Sequence, residues 1–185
     1  MLILASKLLN TPIMGLQTGS QLALTGNAII NPENLQILAY QLKANSFSNE
    51  EMLIRIADIR ELSRIGFIID SGEDFILPTD VIKIKEIIDL DFDILNLKVE
   101  DEKGSKIGKI IDYTLSLADF SVQQLIVKRP FLKSLNDPTL TIHRSQIVAI
   151  NDDIITIRHE KEESPQKRAE KTDNFVPNYI NPFRD

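Results

Sequence analysis

The second half of this 185-residue chain repeats the order of turns and apolar segments found in the first half. The glycine turn at 18–20 matches the glycine turn at 103–105, and the apolar positions that follow the two turns also coincide. Residues 53–59 are likewise similar to residues 140–147, although few positions are identical. Such a repeat constrains the chain to fold as two similar units in tandem.

Within each unit the hydrophobic periodicity is mostly that of β-strands. Segments 121–127 and 155–157 combine alternation with β-branched residues, which is typical of strands. Segment 79–88 has the apolar spacing of a helix after a capping-type start, but its alternation also allows a strand. We expect hairpins at 66–76 and 147–155 to end the two units. Short strands with frequent turns predict an all-β fold, either a small barrel or a sandwich.

These patterns divide the chain into units at 1–85 and 90–158, followed by a tail at 159–185. The tail begins with mixed charges and proline, so we expect it to be flexible. Aromatic residues make up only 6% of the chain, so the core is expected to be aliphatic. The chain has no Cys, and its only histidines are His143 and His159. This composition excludes a disulfide scaffold, a thiolate site and a His-rich metal centre, and no cofactor is expected.

Charge and hydropathy also limit the partners and the compartment. The formal net charge of −6 argues against broad binding to phosphate backbones, so no direct nucleic-acid binding is expected. No apolar stretch approaches the roughly 20 residues of a transmembrane helix, and the amino-terminal segment lacks the basic start of a signal peptide. The expectation is a cytoplasmic protein without a transmembrane segment.

A motif in the second unit carries a family resemblance. Residues 97–113 contain an apolar strand, an Asp-x-x-Gly turn, an apolar-Gly pair and a second strand that bears Asp. This pattern resembles that of PRC-barrel domains. The first unit resembles a diverged copy, because no Asp precedes Gly19 and Ala23 stands at the place of the motif's second glycine. The motif positions in the second unit are Asp101, Gly104, Ile107, Gly108 and Asp112.

The resemblance implies two tandem small PRC-like β-barrels with short helical turns. PRC-barrel domains occur in the cytoplasmic part of a photosynthetic reaction-centre subunit and in a ribosome maturation factor, where the barrel contacts a ribosomal protein. The family thus implies a non-enzymatic adaptor that docks a protein partner and has no catalytic residues. The alternative function is an accessory factor in ribosome maturation that binds a ribosomal protein. A homo-oligomer also remains open.

Apolar residues outside the expected strands are the candidates for contact with a partner. Two of them follow the basic pair Lys128-Arg129, and four lie near the end of the tail. The tail either binds a partner or docks back on its own barrel. The candidates are Phe131, Leu132, Phe175, Tyr179, Ile180 and Phe183.

Four titratable residues of the second unit are candidates for a catalytic or metal site. A carboxylate pair could perform acid–base chemistry or hold a hard cation, and a histidine could relay protons. Turn formation is the favoured interpretation, because no second His or Cys lies nearby and no nucleophile motif surrounds Ser145. The four residues are Asp101, Asp112, Asp119 and His143.

Two basic patches are candidates for a nucleic-acid interface. One contains Lys128 and Arg129 with Lys133, and the other contains lysines at 103, 106 and 109. Neither patch has interleaved aromatic residues apart from Phe131, so solvated faces are the favoured interpretation.

Overall fold

The structure is a computed structural model that describes residues 1–43, 51–130, 138–151 and 153–158. Within these ranges the chain is mostly β, as the sequence predicts. Fourteen strands are joined by turns and 3₁₀ turns, and the α-helix α1 spans Ile82–Asp89.

The first half of the chain builds one sheet. Its strands are β2 (Pro12–Gly15), β3 (Ser20–Asn31), β4 (Gln36–Lys43), β5 (Leu53–Arg55), β6 (Glu61–Ser63), β7 (Gly66–Ile69) and β8 (Phe75–Ile76). Their order across the sheet is β6-β7-β2-β3-β4-β5-β8. The β2–β7 pair is parallel, and the other neighbouring pairs are antiparallel.

The second half builds the other sheet, with one strand added from the amino terminus. Its strands are β1 (Leu2–Leu4), β9 (Lys98–Asp101), β10 (Lys106–Ser116), β11 (Val122–Lys128), β12 (Thr139–His143), β13 (Ile147–Ile150) and β14 (Ile154–Ile157). The order is β12-β11-β10-β9-β14-β13, and β1 pairs with β10. Here β9 and β14 are the parallel pair.

The sequence repeat corresponds to a repeat of strand topology. The order β6-β7-β2-β3-β4-β5 matches β13-β14-β9-β10-β11-β12, and the parallel pair has the same place in both sheets. Gly19 and Gly104 adopt φ angles of +62° and +76° in the equivalent turns before β3 and β10. Asn10 and Asn96, which precede β2 and β9, also adopt left-handed φ angles of 60° and 67°. The two halves therefore share local backbone conformations as well as strand order.

The fold consists of two open sheets rather than two closed barrels. A 3₁₀ turn at Ile56–Asp58 joins β5 to β6, and one at Arg144–Gln146 joins β12 to β13. Neither pair of strands is joined by ladder hydrogen bonds, and in the first sheet the end strand is β8, which pairs with β5. The expected barrel closure is not found among the described residues, because the chain turns this corner with i to i+3 hydrogen bonds instead of a strand ladder.

The expected hairpin at 66–76 is wrong. The hairpin in this part of the chain joins β6 to β7, where the Ser63 hydroxyl donates to the carbonyl of Gly66 at 3.0 Å. After β7 the chain enters a 3₁₀ turn in which Asp74 Oδ2 accepts the N–H of Ser71 at 3.0 Å. This capped turn directs the chain to β8, which pairs with β5.

Segment 79–88 contains the helix rather than the alternative strand. Asp80 Oδ2 accepts the backbone N–H of Leu77 at 2.7 Å and caps the turn before α1. On α1, Ile84 is buried in a small apolar cluster with Ile29 of β3. No helix among the residues that the structure describes is long and apolar enough to span a membrane.

The two units are joined by reciprocal backbone hydrogen bonds between the tips of their long hairpins. The N–H of Ile37 donates to the carbonyl of Phe120 at 2.8 Å. The N–H of Val122 donates to the carbonyl of Leu35 at 2.9 Å. Both donors and both acceptors are related by the same shift of 85 residues, from 37 to 122 and from 35 to 120. The units therefore face each other across a local pseudo-two-fold axis.

Side chains at these tips join one continuous core. Leu35 and Phe120 adopt left-handed φ angles of 56° and 50° in equivalent places. The Phe120 ring lies 6.2 Å from the ring of Phe67 in the first sheet, measured between centroids. Buried residues of both units, such as Ile37 and Leu125, belong to the same apolar cluster. The units therefore share their interior.

The amino-terminal strand adds a further link between the units. Ile3 of β1 lies opposite Leu115 of β10, so a strand from the predicted first unit is part of the second sheet.

We expect Phe120→Ala to lower the free energy of unfolding of the whole chain by about 3 kcal/mol, because it removes a ring from the shared core. Urea denaturation followed by circular dichroism measures this change. The chain is expected to unfold in one transition before and after the substitution. Two separate transitions in the wild-type chain would contradict a shared core.

Gly108 marks a close approach between β10 and β11. It lies opposite Val99, as Ala23 lies opposite Ile13 in the first sheet, and the pairing is irregular at the adjacent Ile107. A Cβ atom on Gly108 would lie 2.1 Å from the carbonyl oxygen of Lys128. The motif's second glycine is therefore required by the packing of the two strands.

We expect Gly108→Ala to destabilise the chain by about 3 kcal/mol, because the backbone of β11 must move to admit the methyl group. Gly72→Ala is the matched control, since a Cβ there meets no atom within 4 Å. Urea denaturation of both variants gives the comparison. Equal stability of the two variants would contradict the packing argument.

Candidate functional site

The residues predicted to contact a partner lie outside the described part of the chain. They are Phe131, Leu132, Phe175, Tyr179, Ile180 and Phe183. The described residue next to the first of them is Pro130, which lines a surface groove.

Asp101 and Gly104 of the motif build the turn between β9 and β10. Asp101 Oδ1 accepts the backbone N–H groups of Lys103 and Ser105 at 2.9 and 2.8 Å. The N–H of Gly104 donates to the Asp101 carbonyl at 2.9 Å. Both residues therefore act in turn formation, as Asp and Gly commonly do.

Asp112 and Asp119 are also held by local hydrogen bonds. Asp112 accepts the hydroxyl of Ser6 at 2.6 Å and its N–H at 3.2 Å, which ties the turn after β1 to β10. Asp119 Oδ2 accepts the hydroxyl of Ser121 at 2.8 Å. Hydrogen bonds from Ser121 and Ser116 lower the pKa of Asp119 below its ordinary value. Both carboxylates therefore accept local hydrogen bonds.

His143 caps the 3₁₀ turn between β12 and β13. Its Nδ1 lies 2.8 Å from the hydroxyl of Ser145 and accepts the Ser145 N–H at 3.2 Å. The N–H of His143 in turn donates to the side-chain oxygen of Gln146 at 2.9 Å. The imidazole is thus part of a capping arrangement.

A row of lysines crosses three neighbouring strands of the second sheet. Lys109 of β10 lies opposite Lys98 of β9 on one side and opposite Lys128 of β11 on the other. All three residues are exposed. Like charges directly opposite each other on a sheet repel, so the row reduces stability while it concentrates positive charge.

The lysine row borders a groove of about 450 Å³. Lys106 and Arg129 add further positive charge to its walls. The lining also includes Val99, Gly108 and Pro130, and most of its surface is apolar. We call this feature the basic groove. It combines cationic side chains with a mostly apolar surface.

No carboxylate pairs with the lysine row among the described residues. The ion pairs found among the described residues lie elsewhere. They join Arg55 to Asp58, Arg60 to Asp70 and Lys85 to Asp89. The charges of Lys98, Lys109 and Lys128 are therefore directed to solvent rather than neutralised within the described fold.

The basic groove belongs to one unit only. In the first sheet the equivalent row, with the same register, consists of Pro12, Leu24 and Lys43. A row with a single lysine shows that the fold itself does not require cations at these positions. The positive row is thus a property that distinguishes the second unit from its structural repeat.

In the sequence, the residues of this groove fall into two separate patches. The antiparallel pairing of β10 and β11 brings Lys106 and Lys109 together with Lys128 and Arg129. Lys98 was missed, since its place beside Lys109 depends on strand register. The available signal was a lysine on each side of the Gly104 turn at nearly equal distance, with Lys98 six residues before Gly104 and Lys109 five residues after it.

A second concave feature lies between the two units. Its volume is about 370 Å³, and its lining includes Tyr40 of β4 and Tyr113 of β10. Burial raises the pKa of both hydroxyls above their ordinary value. The negative charges of Asp112 and Asp93 raise the pKa of Tyr113 further. We call this feature the interunit cavity.

Comparisons with known proteins do not assign the chain to a family. No protein-family model matches the chain, and no curated protein matches it.

The two buried tyrosines should make the free energy of unfolding depend on pH in the alkaline range. In the unfolded chain their hydroxyls ionise near the ordinary pKa of about 10, whereas the folded chain keeps them protonated. The free energy of unfolding should therefore be unaffected by these groups below that pH and fall as the pH rises above it. Urea denaturation between neutral and alkaline pH measures the fall.

The variant with both Tyr40→Phe and Tyr113→Phe is the control for this pH dependence. It is expected to lose less stability than the wild type over the same alkaline range. An identical fall in both proteins would show that other groups cause it.

Proposed function

We propose that this chain is a non-enzymatic cytoplasmic adaptor of the PRC-barrel type. In this proposal its basic groove binds an acidic, extended segment of a partner protein. The observation that carries the proposal is the row of Lys98, Lys109 and Lys128, which has no carboxylate partner in the described fold.

The resemblance to PRC-barrel domains supports the docking class. The motif residues Asp101 and Gly104 form the turn, and Gly108 permits the close strand approach, which is consistent with structural roles. Asp112 and His143 are likewise engaged in local hydrogen bonds. A scaffold that presents a surface accounts for these residues without a reaction.

Charge complementarity defines the occupant of the groove. The net charge of the chain is −6, yet five cationic side chains surround one groove. An acidic segment would relieve the repulsion within the lysine row and gain favourable electrostatic energy. The chain's overall negative charge would meanwhile disfavour a long nucleic-acid backbone.

The apolar surface of the basic groove favours a peptide over a simple anion. Pro130 and the aliphatic stems of the lysines offer apolar surface to the side chains that alternate with acidic ones in an extended segment. Phe131 and Leu132 follow Pro130 directly in the sequence and remain the predicted apolar anchors. Such anchors supply most of the binding energy in typical interfaces, while charges set orientation and rate.

Lys109→Gln tests the basic groove at its central lysine. We expect the variant to bind a labelled peptide of alternating Glu and Leu about fivefold more weakly, a loss of about 1 kcal/mol. We expect it to be at least as stable as the wild type, because a repulsive charge is removed. Fluorescence anisotropy at several salt concentrations gives the affinity, and urea denaturation gives the stability.

Lys83→Gln on α1 is the matched control, because Lys83 is also exposed but lies outside the groove. It should bind the peptide as the wild type does. The proposal fails if a peptide with Lys in place of Glu binds equally well, or if affinity does not fall with salt. Tighter binding of a single-stranded oligonucleotide would assign the groove to a phosphate ligand instead.

A further inference from the structure

One end of the second sheet is an apolar edge strand. Among the described strands, β13 lies at the end of that sheet and pairs with β14 alone. Its four residues are Ile147, Val148, Ala149 and Ile150, and all of them are apolar. Val148 is 48% exposed, and Ala149 is exposed beside it. Apolar edges pair readily with another strand, so proteins usually cover them or place charges on them.

The backbone of β13 directs hydrogen-bonding groups outward. The N–H of Asn151 donates to the carbonyl of Ile154 at 2.9 Å, so these two residues are a hydrogen-bonded pair of the β13–β14 hairpin. Hydrogen-bonded and non-hydrogen-bonded pairs alternate along an antiparallel ladder, so the next pair, Ile150 with Ile155, is not hydrogen-bonded. The N–H and C=O of Ile150 therefore point away from β14, toward the place of a further strand.

The equivalent edge of the first sheet is guarded by charge. β6 has the place of β13 in the repeated strand order, and it contains three residues rather than four. It begins with the exposed Glu61, and the exposed Arg64 follows it directly. A short edge with charges at both ends resists pairing with other strands. The fold therefore does not require an apolar strand at this place, and the edge of β13 distinguishes the second unit.

The described chain ends beside this edge. The N–H of Arg158 donates to the carbonyl of Gln146, the residue directly before β13, at 2.7 Å. Residues 159–185 follow and lie outside the described residues. The stretch 159–174 can extend over at most about 55 Å, whereas a strand of the length of β13 spans only about 14 Å. Every position along the edge is thus within reach of residues 175–183.

The sequence of residues 175–183 suits an added edge strand. It reads Phe-Val-Pro-Asn-Tyr-Ile-Asn-Pro-Phe and has no charged residue. Its aromatic and β-branched residues favour strands. Pro177 and Pro182 bracket four residues, which is the length of β13. Proline is tolerated on edge strands and lacks the N–H that a further strand would need, so the new edge would itself be protected.

Size and tethering favour this segment over a second copy of the chain. A standard stable interface buries about 1,600 Å² and takes roughly 20–30 residues from each side. β13 offers four residues, and the irregular register between Ile147 and Ala149 restricts regular pairing further. A segment on a short linker, in contrast, has an effective concentration of about 1 mM. This is roughly a thousandfold above a second copy at about 1 μM, so weak pairing suffices within one chain.

We propose that residues 175–183 add a strand to the free edge of β13 in the same chain. The N–H and C=O of Ile150 would pair with the backbone of this strand, and a side chain of the Tyr179-Ile180 pair would lie against Val148. The arrangement is β-augmentation within one molecule. It is independent of the basic groove, because none of the groove's lining residues lies on β13.

Crosslinking of the full chain tests where the segment lies. The chain has no Cys, so the double variant with Val148→Cys and Tyr179→Cys carries two thiols only. A short bismaleimide should join them within one chain and give a crosslinked product of monomer mass. The matched control combines Tyr179→Cys with Glu61→Cys, on the equivalent edge of the first sheet. It should crosslink at least about tenfold more slowly at the same protein concentration.

Amide hydrogen exchange of the full chain tests the backbone pairing. In the wild type the Ile150 amide should exchange at least about tenfold more slowly than an amide in an unstructured peptide. A variant with both Tyr179→Pro and Ile180→Pro lacks two consecutive N–H groups, one of which faces β13 in either register. Exchange at Ile150 should then reach the unprotected rate. A variant with Gln166→Pro and Ala169→Pro, in the linking stretch, should keep the protection.

Each opposite result overturns the inference. Crosslinks between two chains only would assign the edge to a second copy, and no crosslinks, or equal crosslinking of the control pair, would show that the segment does not lie at β13. Free exchange of the Ile150 amide in the wild type, or its continued protection when Tyr179 and Ile180 are both replaced by proline, would show that the segment does not pair there. Lys109→Gln should change neither readout, so failure of this inference and failure of the basic groove are distinguishable.

Discussion

The architecture depends on the reciprocal hydrogen bonds between the two long hairpins. The Ile37–Phe120 and Val122–Leu35 bonds join the hairpin tips in antiparallel fashion, and Gln36 and Ser121 form a bridge between them. Because each bond has its counterpart across the pseudo-two-fold axis, the two sheets are fixed in one orientation. The Phe120 ring then reaches the core of the first sheet, and one apolar interior serves both units.

Both concave features follow from this framework, but in different ways. The basic groove depends on register within one sheet, since the pairing of β9, β10 and β11 aligns three lysines. The interunit cavity depends on the relation between sheets, since residues of both units line it. A change at the hairpin tips would therefore disturb the cavity first and leave the lysine row in place.

Much of the fold was accessible from the sequence, because turns and periodicity are local. The repeat, the Gly104 turn and the strands around it were predicted from neighbouring residues. Barrel closure and the hairpin at 66–76 were not predicted correctly, since 3₁₀ turns and the capped turn at Ser71 and Asp74 redirect the chain. Lys98 was missed as a site residue because its significance depends on its cross-strand partner Lys109.

The restriction of the lysine row to one unit limits the number of basic grooves that each molecule presents. A symmetric homodimer of such units would carry two identical grooves and could crosslink two copies of a partner. Here the first unit has Pro12 and Leu24 at the equivalent places, so the described part of the covalently joined pair carries the lysine row once. If the basic groove binds an acidic segment as proposed, the avidity for a multivalent partner would be that of a single site.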